Sequence, residues 1–207
     1  LKRNYDTIAF FYDRMARLAY GKALINARAY LLNAIPAGAQ ILIIGGGTGW
    51  ELEQLSKKYP SGLEITYVDS SAKMIALAAV RNTAANKIIF INEQAEHANI
   101  EGLFDVIMTP FLFDNFTEDG LATLFSILDS HLRTKGLWLH CDFINSNVFW
   151  QKALLKLMYL FFRVSCGIKA QKLPDTEACF AQYDYSIVAQ KYFLRQFIRS
   201  VHYQKDT

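Results

Sequence analysis

Hydrophobic and polar positions follow two rhythms along this chain, and the two interleave. Aliphatic runs, some with period-two alternation, fall at 40–44, 63–68, 87–92, 104–109 and 136–143, and each reads as a strand. Between them, apolar residues recur at helical spacing over 49–59, 71–84 and 117–132. In the last of these Asp119-Gly120 is a weak spot, so that helix is expected to begin at Thr117 or later. Strands alternating with helices predict an α/β fold with a parallel sheet covered on both faces. Residues 4–19 and 22–34 read as two N-terminal helices joined near Gly21, and Pro36-Ala37-Gly38 ends that pattern before the first strand. At the other end, Leu173-Pro174-Asp175 opens a short helix, with the proline near its first turn. Residues 186–193 and 197–204 then form a hairpin around Leu194-Arg195-Gln196.

One further helix is expected at 146–165, with Ser146 or Asn147 as its cap. Lys152, Lys156, Tyr159 and Arg163 recur at helical spacing as a polar stripe, while Trp150, Leu154, Leu157, Met158, Phe161 and Phe162 fill a wide apolar arc. The arc fits a helix packed on the sheet. It also fits a lid over a hydrophobic substrate, extending through 146–172, or a surface helix in peripheral contact with lipid. No apolar run has the length of a membrane span.

The strongest chemical signal is Gly45-Gly46-Gly47-Thr48-Gly49, directly after Ile41-Leu42-Ile43-Ile44. A strand feeding a glycine turn and then a helix lets backbone N–H groups approach a ligand. Trp50 stands where a dinucleotide fingerprint needs its third glycine, and the Gly-Lys-Ser/Thr of a P-loop is absent. Twenty residues past Gly49, the second strand ends in Asp69, followed by Ser70 and a helix. A carboxylate there can accept both hydrogen bonds of a ribose diol.

These residues, with Val68-Asp69-Ser70-Ser71-Ala72-Lys73-Met74, Asn92-Glu93-Gln94-Ala95-Glu96 and Phe104-Asp105-Val106-Ile107, resemble the class I S-adenosylmethionine-dependent methyltransferases. The similarity in element order runs from about residue 36 to the C-terminus. Tyr5-Asp6 and Tyr12-Asp13 resemble the N-terminal helix of the quinone-biosynthesis type. The resemblance implies a Rossmann-like, seven-stranded, mostly parallel sheet with an antiparallel last strand, and S-adenosyl-L-methionine as cofactor. It assigns Gly45–Gly49 to the methionine tail, Asp69 to the ribose, Met74, Gln94 and Ala95 to the adenine, and counts Ser70 among the cofactor-binding residues. Thr109, Pro110 and Phe111 would border the methyl group, and Tyr12 the methionine carboxylate. Two positions depart from the family pattern: Ile43 replaces an acid, and Gln94 replaces the usual Asp.

Composition narrows the rest. At 207 residues, with 52% hydrophobic and 14% aromatic content, the chain is expected to form one domain with a generous core rather than a disordered segment. Net charge is +3 with no block of Lys or Arg, and Thr109-Pro110-Phe111-Leu112 lacks the motif of DNA adenine methyltransferases, so a small-molecule acceptor is expected over nucleic acid. Cys141, Cys166 and Cys179 form no CxxC pair and no metal pattern with the four histidines, which suits a reducing, cytoplasmic compartment. The N-terminal residues do not read as a signal peptide. A sulfonium carries an activated methyl group, so a general base is needed only where the acceptor loses a proton. Asp114, Asp142 and His140 stand at strand ends as candidates; His97, His131 and His202 do not. The function expected is methyl transfer to a hydrophobic or aromatic acceptor. The alternatives are a non-catalytic cofactor- or partner-binding protein, motivated by Ile43 and Gln94, and a nicotinamide oxidoreductase, disfavoured by the glycine spacing.

Overall fold

Seven strands form one sheet: β1 (Gln40–Ile44), β2 (Ser61–Val68), β3 (Ala85–Ile91), β4 (Phe104–Pro110), β5 (Leu132–Phe143), β6 (Tyr185–Phe193) and β7 (Ile198–Lys205). This computed structural model describes residue 6 and residues 18–206. The strand order is β3-β2-β1-β4-β5-β7-β6. β1 to β5 pair in parallel, and β7 runs antiparallel to both β5 and β6. The helices are α1 (Ala23–Leu32), α2 (Trp50–Lys58), α3 (Ala72–Ala79), α4 (Glu118–Ser130), α5 (Phe149–Cys166) and α6 (Thr176–Gln182).

Alternation along the central strands divides the core in two. Ile41 and Ile43 of β1, Val106 and Met108 of β4, and Leu139 and Cys141 of β5 join one buried cluster with side chains of α1, α2 and α5. Leu42, Ile44, Ile107 and Trp138 face the opposite way, into a cluster closed by α4 and by Phe180 of α6. A strand buried on both faces needs apolar residues at every position, which is why β1 reads as a continuous aliphatic run.

The structure refines several sequence expectations. The helix expected over 71–84 ends at Ala79, where Asn82 Oδ1 accepts from the Ala84 amide (2.9 Å) and Ala84 turns the chain at φ 50°. Thr117 caps α4 by accepting from the Gly120 amide. Asp175 caps α6 by accepting from Ala178, so Pro174 lies before the cap rather than inside the first turn. Neither Ser146 nor Asn147 caps α5. The chain bends at Asn147, extended Val148 is the actual N-cap, and Ser146 Oγ accepts from the Val148 amide. Tyr159 leaves the polar stripe: it is buried, and its hydroxyl donates to the Asp114 carbonyl (3.2 Å). Of the helix expected at 4–19, residues 18 and 19 are helical, and the remainder, apart from residue 6, lies outside the described residues.

Candidate active site

The sheet order reverses between β1 and β4, and in open α/β sheets the crevice beyond such a reversal binds the ligand. A cavity of about 400 Å³ lies there. Its polar end combines the backbone of a glycine loop with polar side chains. Gly45–Gly47 and Thr48 line it from β1, Asp69 and Ser70 from β2, and Gln94 and Ala95 from the segment after β3.

The glycine loop is held by contacts no other residue permits. A Cβ at Gly46 would sit 2.3 Å from the Tyr67 ring, and one at Gly49 would sit 2.7 Å from the Ala78 backbone. Gly49 thus packs the loop onto α3 and does not line the cavity. Tyr67 donates to the Gly47 carbonyl (3.1 Å), and Arg81 Nε to that of Thr48 (2.9 Å). A Cβ at Gly47 would meet nothing within 4 Å, so the cradle is open on the cavity side.

Asp69 stands at the rim of that cradle. Its Oδ2 accepts from the Gly47 amide and its Oδ1 from the Ser71 amide, both at 2.9 Å. Burial raises its pKa, against these two amide bonds, and the nearby Asp6 charge adds to the rise. Ser71 accepts from the Met74 amide as the cap of α3 and donates to Asp6. That cap fixes Met74, which lines the cavity.

The other end is apolar. Phe111, Phe143 and Tyr20 form an aromatic wall, with ring centroids 5.4 Å apart for Phe111–Phe143 and 5.1 Å for Tyr20–Phe143. Leu154, Leu157, Met158, Phe161 and Phe162 of α5 close over it. Phe111 has φ 51°, left-handed backbone that a bulky residue rarely adopts.

The candidate bases separate here. Asp114 lines the cavity, whereas Asp142 and His140 do not. His140 is sealed under Phe113, stacked at 4.9 Å, with Nδ1 at 3.1 Å from Thr109 Oγ1, and burial drives its pKa down to about 3. It stays neutral and out of reach. Asp142 spends its oxygens on the Asp114 amide (3.1 Å) and the Phe143 amide (2.8 Å), and burial pushes its pKa up to about 7. Burial and the Asp142 charge push Asp114 well above the usual carboxylate range. Thr109 is also turned away: fully buried, it accepts from the Trp138 indole (3.0 Å), leaving Pro110 and Phe111 to border the cavity. Tyr12 lies outside the described residues.

Sequence reasoning missed Arg28 and Glu51. Arg28 lines the cavity from α1, is held two-toothed by Glu51 at the start of α2, and lies over the Trp50 ring, 4.9 Å from its centroid. Glu51 is fully buried. A signal was present, since Arg28 is the only Lys or Arg between Lys22 and Lys57. Ile43, where the family pattern has an acid, is fully buried in the core.

Comparison with known proteins places this geometry in context. A family model described as "Methyltransferase domain" matches residues 41–136. The chain is 33% identical over 149 residues to a malonyl-[acyl-carrier protein] O-methyltransferase of Bacillus cereus, covering 69% of this chain and 52% of that one. It thus spans about half the length of the curated relatives it matches. Among solved structures, an O-methyltransferase family 2 protein from Planctomyces limnophilus in complex with apigenin superposes with a TM-score of 0.68 at 18% identity, over 97% of this chain and 62% of that one. Magnesium protoporphyrin IX methyltransferase from Synechocystis, with bound S-adenosylhomocysteine, gives 0.64 at 15% identity, over 94% and 87%.

Proposed function

Because the chain belongs to the class I S-adenosylmethionine-dependent methyltransferases, we propose that it transfers the methyl group of S-adenosylmethionine to a small hydrophobic or aromatic acceptor. One observation carries the reading. The Asp69 carboxylate, fixed by the Gly47 and Ser71 amides, shares one cavity with the open glycine cradle and an apolar far end. Each Asp69 oxygen keeps a lone pair after those bonds and can accept from a ribose hydroxyl. Met74 and Ala95 offer apolar surface to the base, and Gln94 can both donate to and accept from its edge. Arg28, pinned by Glu51 and Trp50, presents a fixed cation for the methionine carboxylate. With Ile43 in the core, no carboxylate reaches the cavity from β1.

The cofactor supplies an already activated methyl group on a sulfonium. The chain's own residues hold the acceptor in line and keep water out. Ideal alignment is worth up to about 7–11 kcal/mol of barrier. Phe111, Phe143 and α5, within a covering segment at 146–172, form the dry wall. Asp114 is the carboxyl at that end. A positive charge placed in the cavity lowers its pKa and equips it to take a proton from the acceptor. The whole chain acts as one domain in this reading.

Calorimetric titration with S-adenosylhomocysteine tests the cofactor site, with micromolar affinity expected. No heat at millimolar ligand would remove the proposal. Transfer of radiolabelled methyl across a panel of hydrophobic acceptors tests the chemistry. Intact affinity without transfer would favour the non-catalytic alternative that Ile43 and Gln94 motivate.

A further inference from the structure

The outer face of α5 has no role in the reading above. Phe149, Lys152, Lys156, Leu160, Arg163 and Val164 point outward at three- and four-residue spacing, so cationic and apolar side chains share one stripe. Phe149 is 87% exposed and Val164 80%, although the same helix buries Leu155, Met158 and Tyr159 on its inner side. Apolar groups of this size, aligned along a helix and left in water, mark a surface that something covers.

Charge says what kind of surface fits. Between Asp142 and Asp175 stand Lys152, Lys156, Arg163, Lys169 and Lys172, with no Asp or Glu among them. The rest of the chain, with 17 basic and 19 acidic residues, is net −2. All five cations are exposed, and Lys172 also reaches Glu118 (3.4 Å). The positive charge of the whole chain therefore resides in this segment. An amphipathic helix with cations beside its apolar residues lies in the plane of an anionic bilayer, apolar groups at the acyl boundary and cations on phosphates. No helix among the described residues is long and apolar enough to cross a membrane.

The cavity joins this face. Leu157 and Phe161 line the cavity and are also 62% and 38% exposed, so the opening lies along the outer edge of α5. We infer that α5 docks on an anionic lipid bilayer with the cavity mouth turned toward it, so that a lipid-soluble acceptor passes from membrane to active site. The acceptor's destination rests on the proposed methyl transfer; the docking does not.

Vesicle co-sedimentation of the full chain tests the docking. Binding is expected to vesicles containing phosphatidylglycerol, about tenfold or more tighter than to pure phosphatidylcholine, and to weaken with added salt. Two triple variants divide the contributions: Lys152→Glu, Lys156→Glu and Arg163→Glu together, and Phe149→Ser, Leu160→Ser and Val164→Ser together. None of these six side chains lines the cavity. Each triple variant should lose about tenfold or more in vesicle affinity. S-adenosylhomocysteine affinity should stay unchanged, which reports an intact fold. A wild-type chain that stays in solution with anionic vesicles overturns the inference. So do variants that bind as wild type, or a vesicle-free dimer that the serine variant abolishes. Cofactor binding without vesicle binding would sink the docking alone, and vesicle binding without cofactor binding would sink the methyl-transfer reading alone.

Discussion

The two ends of the cavity are built from different materials. The end at β1, β2 and β3 is organised around backbone: amides of Gly47 and Ser71, carbonyls tied down by Tyr67 and Arg81, and the Asp69 carboxylate that the amides hold in place, with Arg28, Met74 and Gln94 beside them. The end at β4, β5 and α5 is side chain: Phe111, Phe143, Met158 and Phe162, with one carboxyl, Asp114, among them. Backbone geometry demands particular residues at particular positions, and glycine at 46 and 49 cannot be exchanged without a clash. An apolar wall accepts many residues of similar volume. The first end therefore fixes its residues tightly, and the second leaves room for substitution.

Variants that separate the two ends sharpen or break this contrast. The largest effect is expected from Asp69→Ala. Losing two hydrogen bonds to a charged acceptor, at about 1.5–3 kcal/mol each, should weaken S-adenosylhomocysteine binding by roughly a hundredfold or more in calorimetry. Affinity within a factor of about three of wild type would break the contrast at its polar end, since one such bond alone exceeds that. Asp142→Asn probes the other end through pH. Burial raises the Asp142 pKa to about 7, so its contribution to stability is complete below the ordinary carboxyl range and is lost as pH climbs through about 7. Wild-type melting temperature should fall between pH 5 and 8.5 by an amount worth a few kcal/mol on this account. The Asn variant should start lower, because its NH₂ cannot accept from an amide, and should show a flatter slope. An unchanged slope would remove Asp142 as the cause.

Gly46→Ala follows, pressing a methyl group against the fully buried Tyr67 ring. Overpacking costs about 1–3 kcal/mol, visible as a lower urea midpoint together with weaker cofactor binding. The smallest effect is expected from Val148→Ser. An N-cap side chain that makes no hydrogen bond gives way to one that can, which should add about 0.5–1 kcal/mol of stability and leave S-adenosylhomocysteine affinity untouched. Loss of cofactor affinity here would show the two ends to be coupled.

The same contrast explains what was legible in the sequence. Strand–helix alternation and the glycine run specify the sheet and its polar end, because there the chain itself is the site. The seven-stranded mixed sheet expected from the resemblance is the one observed. The apolar end was harder, since β4 and β5 are buried on both faces and nothing in their composition sets the phase of the alternation. Pro110 and Phe143 turn to the cavity; Thr109, His140 and Asp142 turn away toward α4 and α6. A shift of one position exchanges the two sets. Tyr159 misled for a related reason: its ring suits the interior while its hydroxyl suits a polar stripe, and a backbone carbonyl at Asp114 satisfies the hydroxyl inside. Arg28 and Glu51 are distant in sequence, and their pairing comes from the docking of α1 on α2. The quinone-type likeness rests on residues 5, 6, 12 and 13, of which the structure describes only Asp6.

The dihedral at Phe111 sets a floor on what its ring is worth. A left-handed conformation costs an L-residue about 1–2 kcal/mol, and glycine in that place would relax it. That standing penalty sits at the point where β4 leaves the sheet. For the ring to offset that cost, its packing on Phe143 and its place in the cavity wall must outweigh the ease a smaller residue would bring.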